Sequence, residues 1–258
     1  MPVEWLAVPG LTGFLTVFAR VGSALALIPL PGFRAAVAPV RVVLAFTVTL
    51  ILAPAWPRIA VPPADFAGLV ALLAGEVGIG LLLGLVAGVT VECLVFSAQV
   101  VSLQAGYSYA STIDPSSEAD AGVLPVTAQL AASLIFLACG MDRALFGAVA
   151  KSLEAWPPGV AWPAGAFAQQ GVQLGAVVLE YGMRLAIPIV ALLLLADLTL
   201  ALLARLNAQL PLLSVSFSVK MLAALFLLAW LAPGWPAILK SAAEAAWRAV
   251  PVSGKAGG

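Results

Sequence analysis

Residues 67–101 read AGLVALLAGEVGIGLLLGLVAGVTVECLVFSAQVV, an apolar run of 35 residues with only two charges, Glu76 and Glu92. As one helix it would be about 50 Å long at 1.5 Å per residue, against about 30 Å of bilayer hydrocarbon. Tilt absorbs part of that excess but not all of it. A helix this long and oily either extends beyond the bilayer or packs inside an assembly that replaces lipid. The run also carries Glu76, Gly80, Gly84, Gly88 and Glu92 four residues apart without a break. Positions i and i+4 are neighbours on a helix, so the glycines line a slanted groove with a carboxylate at each end. Such a groove admits another helix to backbone contact. Two readings of Glu76 and Glu92 stand together: groove ends in a packed scaffold, or carboxylates in an ion path.

The rest of the chain agrees with a membrane class. Hydrophobic residues make up 63% of the 258 and charged residues 9%, with a formal net charge of zero. Soluble domains run near 45–50% and about 25%. The expected fold is an all-α integral membrane protein, a single domain over 1–258 with a short polar tail at about 233–258. A transmembrane β-barrel is excluded, because the apolar runs are continuous rather than alternating. The charge balance gives no sign of a nucleic-acid partner. Six apolar runs can be marked, at about 8–30, 40–56, 67–101, 123–140, 172–206 and 212–232. They predict about six long helices arranged as hairpins, the first retained rather than cleaved. All seven tryptophans fall at or beyond run ends, where the membrane meets water. Arg34, Arg41 and Arg205 lie on one side, and Arg58, Arg143, Lys151, Lys240, Arg248 and Lys255 on the other. Positive-inside then places both termini in the cytoplasm.

Charges inside these runs need partners. Glu180 and Arg184 form an i, i+4 pair in the favourable order, acid first. Asp197 and Lys220 straddle a turn at Asn207–Pro211 whose centre is their midpoint, so an antiparallel hairpin puts them at equal depth. They are expected to form a buried ion pair that fixes register, with a proton relay as the alternative role. Arg20 lies in mid-run without a local partner and needs a carboxylate or carbonyl from elsewhere, with Glu76 and Glu92 as the candidates.

Residues 102–122, SLQAGYSYASTIDPSSEADAG, are the one long polar segment between apolar runs. They hold Asp114, Glu118 and Asp120, no base, and small side chains that pack and move easily. Catalysis has little to work with. The chain has no histidine, which removes most triads, zinc hydrolases and haem ligation. Nucleophile-elbow, Walker and Rossmann patterns are absent too. Cys93 and Cys139 sit in apolar runs and read as small buried hydrophobes. No enzyme activity, metal or cofactor is expected.

Several strings now fall into one order: Phe18-Ala19-Arg20, Pro39-Val40-Arg41-Val42, Glu76-x-x-x-Gly80-x-x-x-Gly84, Gly106-Tyr107-Ser108-Tyr109-Ala110 before Asp114-Pro115, Arg184-Leu185-Ala186-Ile187-Pro188, and Lys220. With the length and the lack of a soluble domain, the ordered set resembles the FliR family of flagellar type III export-gate proteins. Their injectisome counterparts are the SctT family. The resemblance runs from about residue 10 to 232. It departs at Gly140-Met141-Asp142, where the family often has Gly-His, and at Phe217-Ser218-Val219-Lys220, where it usually has Phe-Pro before the lysine. The acids Glu118 and Asp120 are further additions.

The resemblance implies a subunit of a helical hetero-oligomeric export gate in the bacterial inner membrane and flagellar basal body. Implied partners are FliP-like and FliQ-like membrane subunits, FlhB-like and FlhA-like export components, and unfolded protein substrates. It also implies a pore plug at about 106–122, with Gly106, Tyr107, Ser108, Ala110, Asp114, Pro115, Glu118 and Asp120 as its residues. Gly80, Gly84 and Gly88 serve helix packing, and Arg20, Glu76, Glu92, Glu180, Arg184, Asp197 and Lys220 are the expected buried charges. The alternatives are an injectisome subunit, or a small secondary transporter with Glu76, Glu92, Asp197 and Lys220 on an ion path.

Overall fold

The computed structural model of the chain describes residues 8–31, 38–56, 65–107, 122–158, 164–206 and 212–250. Among them the helices are α1 (Val8–Ala26), α2 (Ala38–Ile51), α3 (Phe66–Ala105), α4 (Val123–Ala138), α5 (Met141–Ala155), α6 (Ala164–Leu206), α7 (Leu212–Leu231) and α8 (Trp235–Ala249). Short 3-10 turns at Ala53–Ala55 and Ala232–Gly234 each carry a proline near their start. A proline there forfeits only an N–H that has no intrahelical partner anyway.

Two helices exceed the bilayer by a wide margin. The 40 residues of α3 and the 43 of α6 correspond to about 60 and 65 Å. Pro188 sits inside α6, and the helix continues on both sides of it. Among the described residues, three helical stretches are long and apolar enough to cross a membrane: Phe66–Ala105, Phe167–Leu203 and Ser216–Ala249. A fourth span exists if the bent pair α4–α5 is counted as one. Among the described residues the six apolar runs thus yield three or four helices of spanning length, with shorter apolar helices beside them. Gly10–Ala26 and Pro39–Ile51 are shorter apolar helices, and the 14 residues of α2 reach only about 21 Å.

Boundaries moved for local reasons. The run ending near residue 101 continues helically to Ala105, so Ser102–Ala105 belong to α3 and not to the polar segment. The run near 123–140 is followed by a second helix after Gly140, whose φ of +68° is a backbone state that suits glycine. Residues 235–249, within the stretch expected as a polar tail, form α8. Its Leu239, Ala242, Ala243 and Ala246 are buried while Lys240, Glu244 and Arg248 are exposed. That i, i+3, i+4, i+7 spacing makes an amphipathic helix.

The described chain divides into two compact units. The first comprises the described residues within 1–89, 136–175 and 243–258. Its core includes Val17, Val21, Ala24 and Leu25 of α1, Ile28 just after that helix, and Ile79, Leu83 and Val86 of α3. Phe14 anchors one edge. Its ring lies 5.7 Å from Phe18, 5.6 Å from Phe46 and 5.5 Å from Trp56, the last two in the edge-on geometry that aromatic quadrupoles favour. The Trp56 indole N–H donates to the Thr49 carbonyl at 2.9 Å, so its polar end is satisfied. The second unit comprises 90–135 and 176–242, with Leu94, Ala98, Val101, Ile189 and Leu193 among its buried residues.

Candidate functional site

In the second unit three helices meet where α3 ends. The helix closes on a Schellman turn: Tyr107 N–H donates to the Ser102 carbonyl at 3.0 Å and Gly106 N–H to Leu103 at 3.2 Å. Gly106 has φ +89°, and a Cβ there would meet the Phe217 ring at 2.7 Å. Both facts require glycine. The Tyr107 hydroxyl donates to the Met221 carbonyl of α7 at 3.0 Å. Desolvation raises the phenol above its usual pKa, so it stays protonated and able to donate.

One turn back, Gln104 Nε2 donates to Asp197 Oδ2 at 3.1 Å, and Lys220 Nζ lies 2.9 Å from Asp197 Oδ1. Lys220 also sits 5.9 Å over the Phe217 ring, within cation–π reach. The pair is less enclosed than a buried register pin: Lys220 is 12% exposed and Asp197 38%. The reason is local, since α3 stops one residue past Gln104 and nothing in it continues over Asp197.

Further along the same unit, α3 and α6 touch at Gly182, where a Cβ would meet the Phe96 ring at 2.6 Å and the Cys93 carbonyl at 3.0 Å. This contact explains why Glu180 and Arg184 are not buried as expected. Residues two before and two after Gly182 are rotated about 200° away on the helix, opposite the packed face. Their 2.6 Å ion pair accordingly has side chains 54% and 62% exposed, with Arg184 5.1 Å over the Tyr181 ring. Glu92 is half-buried.

The first unit holds a different arrangement. Arg20 of α1 is fully buried and Glu76 of α3 is 3% exposed. The guanidinium Nε and Nη2 both reach Glu76 Oε2, each at 2.7 Å. Its Nη1 donates to the Ser152 carbonyl at 2.7 Å and to Ser152 Oγ at 3.1 Å, and Nη2 donates to the Trp156 carbonyl at 2.8 Å. These five contacts match the five N–H donors of arginine. Ser152 and Trp156 stand at the C-terminal end of α5, where the helix dipole is negative; the Ser152 carbonyl also takes the Trp156 N–H at 2.9 Å, so the arginine is its second donor. Arg20 is thus both an ion-pair partner and a helix cap.

Beside it, the glycine groove receives α1. A Cβ at Gly80 would strike Ser23 Oγ and the Arg20 carbonyl, and one at Gly84 would strike the Ala24 carbonyl, all closer than 3.0 Å. At Gly88 the nearest atom, the Leu27 carbonyl, is at an ordinary 3.6 Å, so the groove widens toward that end.

Of the eight residues expected in the plug, Gly106 and Tyr107 are described. Ser108, Ala110, Asp114, Pro115, Glu118 and Asp120 lie outside the described residues. Among the described residues no cluster of three or more His, Cys, Asp and Glu side chains could hold a metal ion. Sequence reasoning missed Gln104, Gly182 and the α5 carbonyls. Backbone carbonyls leave no mark in a sequence, and a glutamine near a helix end draws no notice.

Apolar helices of this length, with charges drawn into helix-to-helix clamps, define an all-α membrane protein. The family model for bacterial export proteins, family 1, matches residues 11–246, and the chain belongs to that family. Among similar curated proteins is the flagellar biosynthetic protein FliR of Caulobacter vibrioides, 28% identical over 214 residues, covering 83% of this chain and 85% of that protein. FliR of Escherichia coli is 27% identical over 215 residues, 83% of this chain and 82% of its own length. FliR of Pectobacterium carotovorum is 27% identical over 234 residues, covering 89% and 88%.

Proposed function

We propose that this chain is a subunit of the flagellar protein-export apparatus, a multi-pass protein of the bacterial inner membrane that forms part of the export channel. The observation that carries the reading is the family match across residues 11–246, together with FliR relatives covered over most of their length. Within it, residues 106–122 serve as a pore plug. Support comes from the abrupt end of α3, since the Schellman turn at Gly106 stops a 40-residue apolar helix where the one long polar stretch begins. The overlong helices suit a subunit packed among FliP-like and FliQ-like neighbours, with FlhB-like and FlhA-like components and unfolded proteins as further partners.

An ion path through Glu76 is the weaker reading. Glu76 takes two donors from an arginine that is itself held by two carbonyls and a hydroxyl. A charge fixed that firmly makes a poor carrier. Two measurements decide. The subunit should co-purify with two small heterologous membrane proteins, whereas a transporter would be stable and active alone. Deleting Ser111–Ala121 from the assembled complex should raise membrane conductance. An unchanged conductance, with assembly intact, would sink the plug assignment. Filament, hook and motor genes beside the coding gene would separate flagellum from injectisome.

A further inference from the structure

Asp197 and Lys220 read from sequence as a pin between the last two long apolar runs, yet in the structure the end of α3 is a third party to that pin. Each oxygen of Asp197 has its own partner, Oδ2 taking Gln104 and Oδ1 facing Lys220. Lys220 lies over the Phe217 ring, and that same ring occupies the space a Cβ at position 106 would need. Tyr107 then bonds the carbonyl of Met221, the residue after Lys220. Positions 104, 106 and 107 of one chain segment therefore all engage, directly or through Asp197, a single short stretch of α7, residues 217–221. A plain pin between α6 and α7 would have no use for Gln104 or Tyr107.

We propose that this ring of contacts is a clamp fixing the point from which the 106–122 segment departs, with Gln104 and Tyr107 as positioning residues and Asp197 as the shared acceptor. The proposal rests on reading 106–122 as the functional segment, and its test is separable from that reading. The full chain, assembled with its partners, is placed in deuterated buffer. Amide exchange is followed by peptide mass at Gly106 and Tyr107, whose N–H groups close the turn, and across α5 of the first unit, which reports general loosening.

Gln104→Leu and Tyr107→Phe should each speed exchange at Gly106 and Tyr107 by about five-fold, the equilibrium factor of one net hydrogen bond, with α5 unchanged. Because the two bonds belong to one ring of contacts, the double variant should depart from the product of the singles. Tyr107→Phe removes one oxygen only, so it tests the clamp even if Gln104→Leu fails to assemble. Unchanged exchange at these two amides in Tyr107→Phe, or an equal rise across α5, overturns the clamp. If exchange at the two amides alone rises while the Ser111–Ala121 deletion leaves conductance unchanged, the clamp stands and the plug reading falls.

Discussion

Arg20 joins three helices through one guanidinium. Its partners come from three sources: a carboxylate of α3, a hydroxyl of α5, and two carbonyls at the end of α5. Replacing it with methionine leaves the Glu76 carboxylate buried without its cation and takes the guanidinium donors from the Ser152 and Trp156 carbonyls, of which Ser152 keeps the Trp156 N–H. The expected cost is about 3–5 kcal/mol, read as a lower thermal midpoint of the detergent-solubilised complex. Adding Glu76→Leu to Arg20→Met should recover part of that loss, because no charge is then stranded. Arg20→Lys should not rescue, since a point ammonium cannot span Glu76, Ser152 and Trp156 together. The need for a partner was legible in the sequence: a lone arginine in an apolar run demands one, and Glu76 was one of two candidates. The other half of the arrangement was not legible. Ser152 and Trp156 act through their carbonyls, and any residue types there would present the same oxygens.

At the scale of elements, the four-residue glycine spacing of α3 showed that a helix would lie in its groove, but not which helix, nor how the fit varies along it. The structure places α1 there, tightest at Gly80 and Gly84 and loose at Gly88. Three glycines alike on paper should therefore respond differently. Gly84→Ala puts a methyl against the Ala24 backbone, which cannot give as a flexible side chain would, and should cost about 1–3 kcal/mol. Gly88→Ala meets only an ordinary contact and should be neutral, or stabilising by up to about 1 kcal/mol through helix propensity. Thermal melts of the two variants in detergent make the comparison, and equal losses would contradict the tapering groove. Gly182 also carries a close approach, to the Phe96 ring and the Cys93 carbonyl, yet it stands outside the unbroken four-residue series that marks α3. The turn arithmetic around Asn207–Pro211 did reach a pairing of Asp197 with Lys220, because hairpin symmetry constrains depth. It could not reach Gln104, which arrives from a helix 93 residues earlier.

For the whole molecule, the outer faces of the long helices remain apolar. Leu192, Leu195, Leu198 and Leu202 of α6 and Leu222, Phe226 and Trp230 of α7 are all at least 49% exposed in the single chain. Surfaces of this kind call for lipid or protein cover. If FliP-like and FliQ-like subunits provide it, mass action stabilises the chain in proportion to their occupancy. Expressed alone, the chain should be short-lived in the membrane. Co-expression with those partners should lengthen its half-life several-fold in a pulse-chase. A half-life indifferent to the partners would point to lipid as the cover.

The wiring of Arg20 also has a history within each molecule. Glu76 follows it by 56 residues in the chain and Ser152 by 132. At about 5–20 residues per second, the ribosome delivers the carboxylate some 3–11 s after the arginine, and the serine about 7–26 s after it. Through that interval a nascent helix bears an unmatched cation, a burden of about 2.5–3.5 kcal/mol were it at the centre of a bilayer. Loss of Glu76 would first be felt by the helix synthesised before it.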